Sequence, residues 1–438
     1  MKKRLTAIIL ICVLHISLNI SLNAVYKIEK FYLSNGLAVL LSPEENTSAA
    51  CVLVYHKTGA RDDPQGLKGA THLYRNLMLL GTKNLDPLDG KLFVEKSGGV
   101  SNRKVSYDNS IFYKVIPETE LNHALWLESE RLTSLNLTDQ AITFIKNSDY
   151  RYITKTINPH VNFEANKEVK SIVFENTIYQ VPEYGDPEEI RGFNNGEIKK
   201  LYANFKNPED IILVIAGNFD IEGIKKSVNK HFSGLLSRQG NKKKKALAKT
   251  RGKYIYKNWL RSNITQQFSM YGIRAPSKYG NDHLYFNFIR YYLVDERISK
   301  LEKMMNRKNN LKVTIHSEYT NHFESNALII KISTPDRTAL EAAKFVLNNE
   351  LDALMSKPLA QSELKTTKSL MEIDFKKNMA LLEKRCLIIA ENFHLSGSVD
   401  FEKSHIERIR NISSYDIIRV SKSYLKKSNR VILNVHPQ

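Results

Sequence analysis

The chain has 438 residues, 42% hydrophobic and 25% charged. That composition excludes a disordered or collagen-like chain and is long enough for two sizeable domains. The formal net charge is +19, but the lysines are scattered through amphipathic segments with no aromatic platform beside them, so nucleic-acid binding is not expected.

Residues 1–24 read as an export signal. Met1-Lys-Lys-Arg4 is basic, Ala7 to Ile20 is uncharged and apolar but too short for a comfortable span, and Ala24 offers a cleavage point. Losing Lys2, Lys3 and Arg4 with it lowers the net charge from +19 to +16. No other apolar run is long enough to cross a bilayer. The expected location is therefore the periplasm or cell envelope, with anchoring if the signal is retained. Bulky Ile11 precedes Cys12 where lipid attachment needs a small residue. The two remaining cysteines, Cys51 and Cys386, fall one in each half. Two buried thiols are expected there, with an interdomain bridge as the alternative.

Further along, Leu33 to Leu41 is a hairpin turning at Asn35-Gly36, and Val54 to Pro64 runs from a strand into a loop. The spacing of Gly69 to Thr82 predicts a helix entered from a glycine-containing loop. Gly98 to Asn102 and Asp108 to Tyr113 read as a strand pair. Leu201 to Asn207-Pro208 is a helix and break, followed by the apolar strand Ile211 to Gly217 and a helix through Phe232. Residues 237–253, with the run Lys242 to Lys245, read as an exposed basic linker. Beyond it, strands Gln266–Tyr271, Leu311–Ile315 and Ala327–Ser333 surround a helix over Asn281–Met305. Helical spacing covers Thr338–Met355 and Gln361–Leu395. The end is helix Tyr415–Leu425, a break, and strand Val431–Val435. Both halves thus close on helix, break and strand. The expected architecture is a pair of α+β halves, 25–236 and 254–438, each a β-sheet packed against helices.

The helix from Gly69 carries the chemistry. His72, Arg75 and Asn76 stand at i, i+3 and i+4, which project from one helical face. The inverted zincin motif H-x-x-E-H uses that spacing so that two imidazoles share a metal while the carboxylate deprotonates its water. With the ordered segments Leu33–Leu41, Val54–Pro64, Gly98–Asn102, Asp108–Tyr113, Leu201–Pro208 and Ile211–Gly217, the chain resembles the insulinase-like metallopeptidases (pitrilysin, mitochondrial processing peptidase). The resemblance spans nearly the whole N-terminal half. It implies two homologous halves around a chamber for unfolded peptides.

Carried over position by position, His72 matches the first histidine ligand, Arg75 the catalytic glutamate and Asn76 the second histidine. Counting back from Asn158-Pro159 places Arg151 at the third ligand, a glutamate on a later helix. Arg75 cannot act as a general base, because a guanidinium stays protonated, and a zinc site needs donors that offset the ion's charge. No catalytic residue and no metal are therefore expected at His72, Arg75, Asn76 and Arg151. The family's substrate edge, matched by Gly99, Asn102 and Arg103, would take a peptide as an added strand. There Arg103 puts a large cation where the family keeps a small residue. In the C-terminal half, Asn306 and Val313 stand where peptidase members carry an arginine and a tyrosine. His316 and His322 are expected on the surface.

The resulting expectation is an exported, catalytically silent relative that binds unfolded peptides or pairs with an active family member, without a cofactor. Two alternatives stand beside it. One is an active zinc endopeptidase with a rebuilt site, and the other is a cationic envelope-binding protein.

Overall fold

Ile211–Gly217 is apolar without alternation and buried along its whole length, so both faces of its sheet must be covered. A computed structural model describes residues 26–87, 89–157, 160–237, 254–262 and 264–438. The expected signal, the Asn158-Pro159 turn and all of the basic linker except Ser237 lie outside the described residues.

The strands are β1 (Glu29–Tyr32), β2 (Ala38–Pro43), β3 (Ala49–His56), β4 (Val100–Val105), β5 (Ser110–Pro117), β6 (Ile211–Gly217), β7 (Ile255–Arg261), β8 (Gln267–Ala275), β9 (Thr314–Tyr319), β10 (Asn326–Thr334) and β11 (Arg430–Pro437). They form one sheet in the order β1-β2-β6-β3-β5-β4 and a second in the order β7-β11-β8-β10-β9. In the first, β2 runs parallel to β6 and the other neighbours are antiparallel. In the second, β7 runs parallel to β11 and the rest are antiparallel. Leaving out β1, the two halves repeat one strand order with one set of directions.

Four helices matter most for the site: α1 (Ala70–Leu77), α2 (Asp139–Tyr152), α3 (Val161–Val173) and α4 (Leu382–Ser396). Val39, Val52, Val54, Phe112 and Leu213 of the first sheet pack with Leu73 and Leu77 of α1. The opposite face, with Leu40, Cys51, Leu53 and Val214, is covered by Cys386, Ile389, Ala390 and Phe393 of α4, which comes from the C-terminal half. The exchange is reciprocal. Phe268, Met270, Ile329 and Leu433 of the second sheet are covered by Ala165, Val169 and Val173 of α3, from the N-terminal half. Burying one large apolar side chain is worth roughly 1.5–3 kcal/mol, so pulling the halves apart would cost many such contacts on two sheets. Cys51 and Cys386 are both free and fully buried at one of these contacts.

Several elements differ from the sequence expectation, among them the strand expected over Leu311–Ile315, which is β9, Thr314–Tyr319. The helix expected over Asn281–Met305 is His283–Val294, interrupted at Asp295, which holds Arg297 at 2.8 Å, and helical turns resume over Lys300–Glu302 and Lys303–Lys308. Gln361–Leu395 is two helices, Gln361–Ala380 and α4, broken where Leu381 turns extended at ψ 121. Strand β7 is a further element, mostly exposed along its length and so without a buried apolar face to mark it in the sequence. Among the described residues, no helix is long and apolar enough to cross a membrane.

Candidate functional site

Helix α1 is aimed by its first turn. Asp63 accepts hydrogen bonds from the N–H groups of Gly69 (2.8 Å) and Thr71 (2.9 Å) and from the Thr71 hydroxyl (2.6 Å). It thereby satisfies donors that a helix start leaves open. Gly69 sits at φ +96, and a Cβ there would lie 2.5 Å from the Tyr184 carbonyl oxygen, so only glycine fits this entry. The helix then presents His72, Arg75 and Asn76 toward α2 and the edge strand β4.

His72 is 7% exposed. Its Nε2 lies 3.4 Å from Arg75 Nη2 and 4.0 Å from Asp149 Oδ2. An arginine N–H can donate to Nε2 only if the ring is neutral with its proton on Nδ1. The electrostatics agree: burial, reinforced by the charges of Arg75 and Arg103, pushes the His72 pKa down to about 3. Asn76 Nδ2 donates to Asp149 Oδ1, and Arg103 Nη2 donates to Asn76 Oδ1 at 3.3 Å. Burial raises the Asp149 pKa to about 6, against the opposing pull of Arg75, Asn76 and Arg103. Asp149 Oδ2 is buried without a hydrogen-bond partner.

Arg151 does not join this group. Its side chain is exposed, whereas Asp149, two positions earlier on α2, faces His72 and Asn76. Two helical positions are about 200° apart around the axis, so the two side chains leave opposite sides. The carboxylate in the site is thus Asp149, two positions before the residue that the count from Asn158-Pro159 reaches. The site in space is therefore His72, Arg75, Asn76, Arg103 and Asp149.

These residues do not fit a zinc ion. The Arg75 guanidinium stands on the His72 lone pair that would bind the metal, and the Asn76 oxygen already accepts from Arg103. With two guanidiniums and one carboxylate present, a divalent ion would leave three uncompensated positive charges in a buried space. Among the described residues, no group of three or more His, Cys, Asp or Glu side chains is arranged to hold a metal.

The peptide-edge residues stand as follows. Among the described residues β4 pairs only with β5, which leaves its other edge without a strand partner there, and Val100, Ser101, Asn102 and Lys104 are exposed. A Cβ at Gly99 would meet the Val115 carbonyl oxygen at 2.7 Å, so glycine lets the chain enter β4 tight against β5. Asn102 Oδ1 accepts from the Arg103 N–H at 2.7 Å. Arg103 pairs with Phe112, whose side chain lies in the core shared with α1, so Arg103 points to the α1 side of the sheet. Asn306 and Val313 hold each other instead of facing the site: Asn306 Nδ2 donates to the Val313 carbonyl and Oδ1 accepts from its N–H, both at 2.8 Å.

Between the halves, next to His72 through the edge-on ring of Tyr184, lies a cavity of about 480 Å³. Lys104, Tyr107, Phe163 and Tyr184 line it from one half and Glu318 and His322 from the other. His316 is exposed as expected, whereas His322 is half-buried and lines the cavity. It packs against Tyr107, Phe174 and Tyr179, and burial pushes its pKa down to about 3. Beside it, Asp108 clasps the halves. It accepts from Arg61 (2.9 Å), from the Tyr179 hydroxyl (2.9 Å) and from the Phe323 N–H (2.8 Å), while Arg61 also pairs with Glu324.

Comparison with known proteins agrees with this architecture. The family model described as insulinase (peptidase family M16) matches residues 38–180, and that described as peptidase M16 inactive domain matches 192–371. The chain is 23% identical over 430 residues to the zinc protease PqqE of Helicobacter pylori, covering 94% of this chain and 93% of that one. The crystal structure of a protease from Helicobacter pylori superposes with a TM-score of 0.86 at 20% identity, over 94% of this chain and 100% of that one. The periplasmic protease PqqL from Escherichia coli superposes with a TM-score of 0.75 at 13% identity, over 94% of this chain and 48% of that one.

Proposed function

Because this chain belongs to the insulinase-like (M16) peptidase family, we propose that it is an exported member that does not cleave peptides. Instead it binds them or completes the chamber of an active relative. One observation carries the reading. Where a family peptidase has its metal and base, His72 Nε2 meets the Arg75 guanidinium, on a scaffold whose helix entry, sheet edge and inter-half cavity are otherwise in place. A guanidinium cannot deprotonate water, and it repels the cation that would activate one.

Export is supported by the basic and apolar start of the sequence and by the likeness to a periplasmic protease. The test is to mix the mature protein with an M16 relative from the same genome that retains H-x-x-E-H. The expected result is a stable complex, or retention of unstructured peptides by this chain, with changed cleavage by the relative. If the protein binds neither relative nor peptide, the proposal fails. If the unmodified protein alone cleaves peptides and chelators stop it, the active-enzyme reading replaces it.

A further inference from the structure

Arg75 and Arg103 are two half-buried cations that make no ion pair among the described residues. Among the described residues, the side-chain hydrogen bonds of the two guanidiniums are those of Arg75 to His72 Nε2 at 3.4 Å and of Arg103 to Asn76 Oδ1 at 3.3 Å. The Nε of each is buried with no hydrogen-bond partner. Asp149, whose charge acts on both, makes an ion pair with neither, since one of its oxygens is taken by Asn76 and the other has no hydrogen-bond partner, and its single charge cannot balance two guanidiniums. Burying a cation is costly unless it is paired, and the planar fork of a guanidinium matches a carboxylate in bidentate fashion.

The fork also has an address. Arg103 projects from the edge strand β4 to the side of the sheet that carries α1 and Arg75. A peptide added along β4 alternates its side chains between the two faces, so every second one would arrive on the face of the two guanidiniums.

We infer that Arg75 and Arg103 form a fork that holds a carboxylate of an extended peptide lying along β4. The carboxylate is either an Asp or Glu side chain or the peptide's C-terminus. This deepens the proposed function and rests on its peptide-binding arm. On this account the metal site has become a selector for acidic peptides, using the same helix face and the same edge.

The test uses three pools of short unstructured peptides with randomised flanks, titrated against the mature protein by fluorescence anisotropy at physiological ionic strength. The first has a central Glu and an amidated end, the second a central Gln and an amidated end, and the third a central Gln and a free carboxylate. At least one acid-bearing pool should bind about tenfold more tightly than the neutral pool, as expected for charge-assisted bidentate bonds. Which pool gains identifies the source of the carboxylate. The advantage should vanish in the double variant Arg75→Gln, Arg103→Gln. If that variant does not fold, Arg103→Lys, which keeps the charge and removes the fork, should lose most of the preference. Equal binding of all three pools, or an advantage that survives the substitutions, overturns the fork and leaves peptide binding standing. Binding of no pool overturns the peptide-binding arm and the fork with it.

Discussion

Substituting Asp149→Asn separates a retired metal site from a working one, because the two predict opposite signs. In the native protein the Asp149 pKa is raised to about 6, from 3.8 for an ordinary aspartate, chiefly by burial. The folded state therefore keeps a proton between about pH 4 and 6 that the unfolded chain has released. The favourable contribution of the neutral acid is complete below about pH 4 and is lost as pH rises through about 6. Two pH units at about 1.4 kcal/mol each make the ionised carboxylate cost roughly 3 kcal/mol at pH 8. Its side chain is only 8% exposed, so solvent screening removes little of that. An asparagine keeps the shape, can still accept from Asn76, and carries no charge. Asp149→Asn should therefore match the parent protein near pH 4 and exceed it by roughly 3 kcal/mol at pH 8. For a chain of this length that corresponds to a melting temperature about 3–6 °C higher. The assay is thermal and urea denaturation of both proteins across pH 4 to 8. Equal or lower stability of the variant at pH 8 would refute the reasoning, since it would mean that Asp149 is held as an anion by a partner such as a metal.

Three further outcomes follow from the same geometry. Asp108→Ala removes the acceptor that joins Arg61, Tyr179 and Phe323 across the halves and leaves buried donors unmet, and should cost roughly 3 kcal/mol, moderated because Glu324 still holds Arg61. Denaturation and limited proteolysis read it, and an unchanged midpoint would remove the clasp. Grafting Arg75→Glu with Asn76→His, with Asp149 left in place, should raise bound zinc toward one ion per chain. Adding Arg151→Glu should change nothing, whereas adding Asp149→Ala should abolish the gain; a requirement for Arg151→Glu would restore the original count along α2. Cys51 and Cys386, both fully buried where α4 covers the first sheet, should resist iodoacetamide in the native protein and react fully in denaturant. Labelling of the native protein would mean that α4 lifts away.

The scaffold was largely legible before any coordinates. Gly69 fixed the helix start, the i, i+3, i+4 spacing put His72, Arg75 and Asn76 on one face, and unbroken apolar runs marked β3 and β6. The matching helix-break-strand ends of the halves pointed to a repeated plan, without its strand order. Other features depend on distance in space that linear spacing does not encode. Arg151 and Asp149 differ by two positions, a small step along the chain that reverses the side of the helix. Arg103 was visible as a cation on an edge, but its reach to Asn76 needed the packing of α1 against β4. The exchange of α3 and α4 between sheets left no local signature, since each helix has an ordinary apolar face whichever sheet it covers. His322 looked like a turn residue, and only the neighbouring Tyr107, Phe174 and Tyr179 bury it.

The most direct measurement is zinc per chain, by mass spectrometry, on mature protein purified without a histidine tag and dialysed against metal-free buffer. With Arg75 on the His72 lone pair and no second imidazole, the account predicts a value near zero. A value near one would contradict it, because ligands would then have to displace both guanidiniums and a peptidase would be back in view.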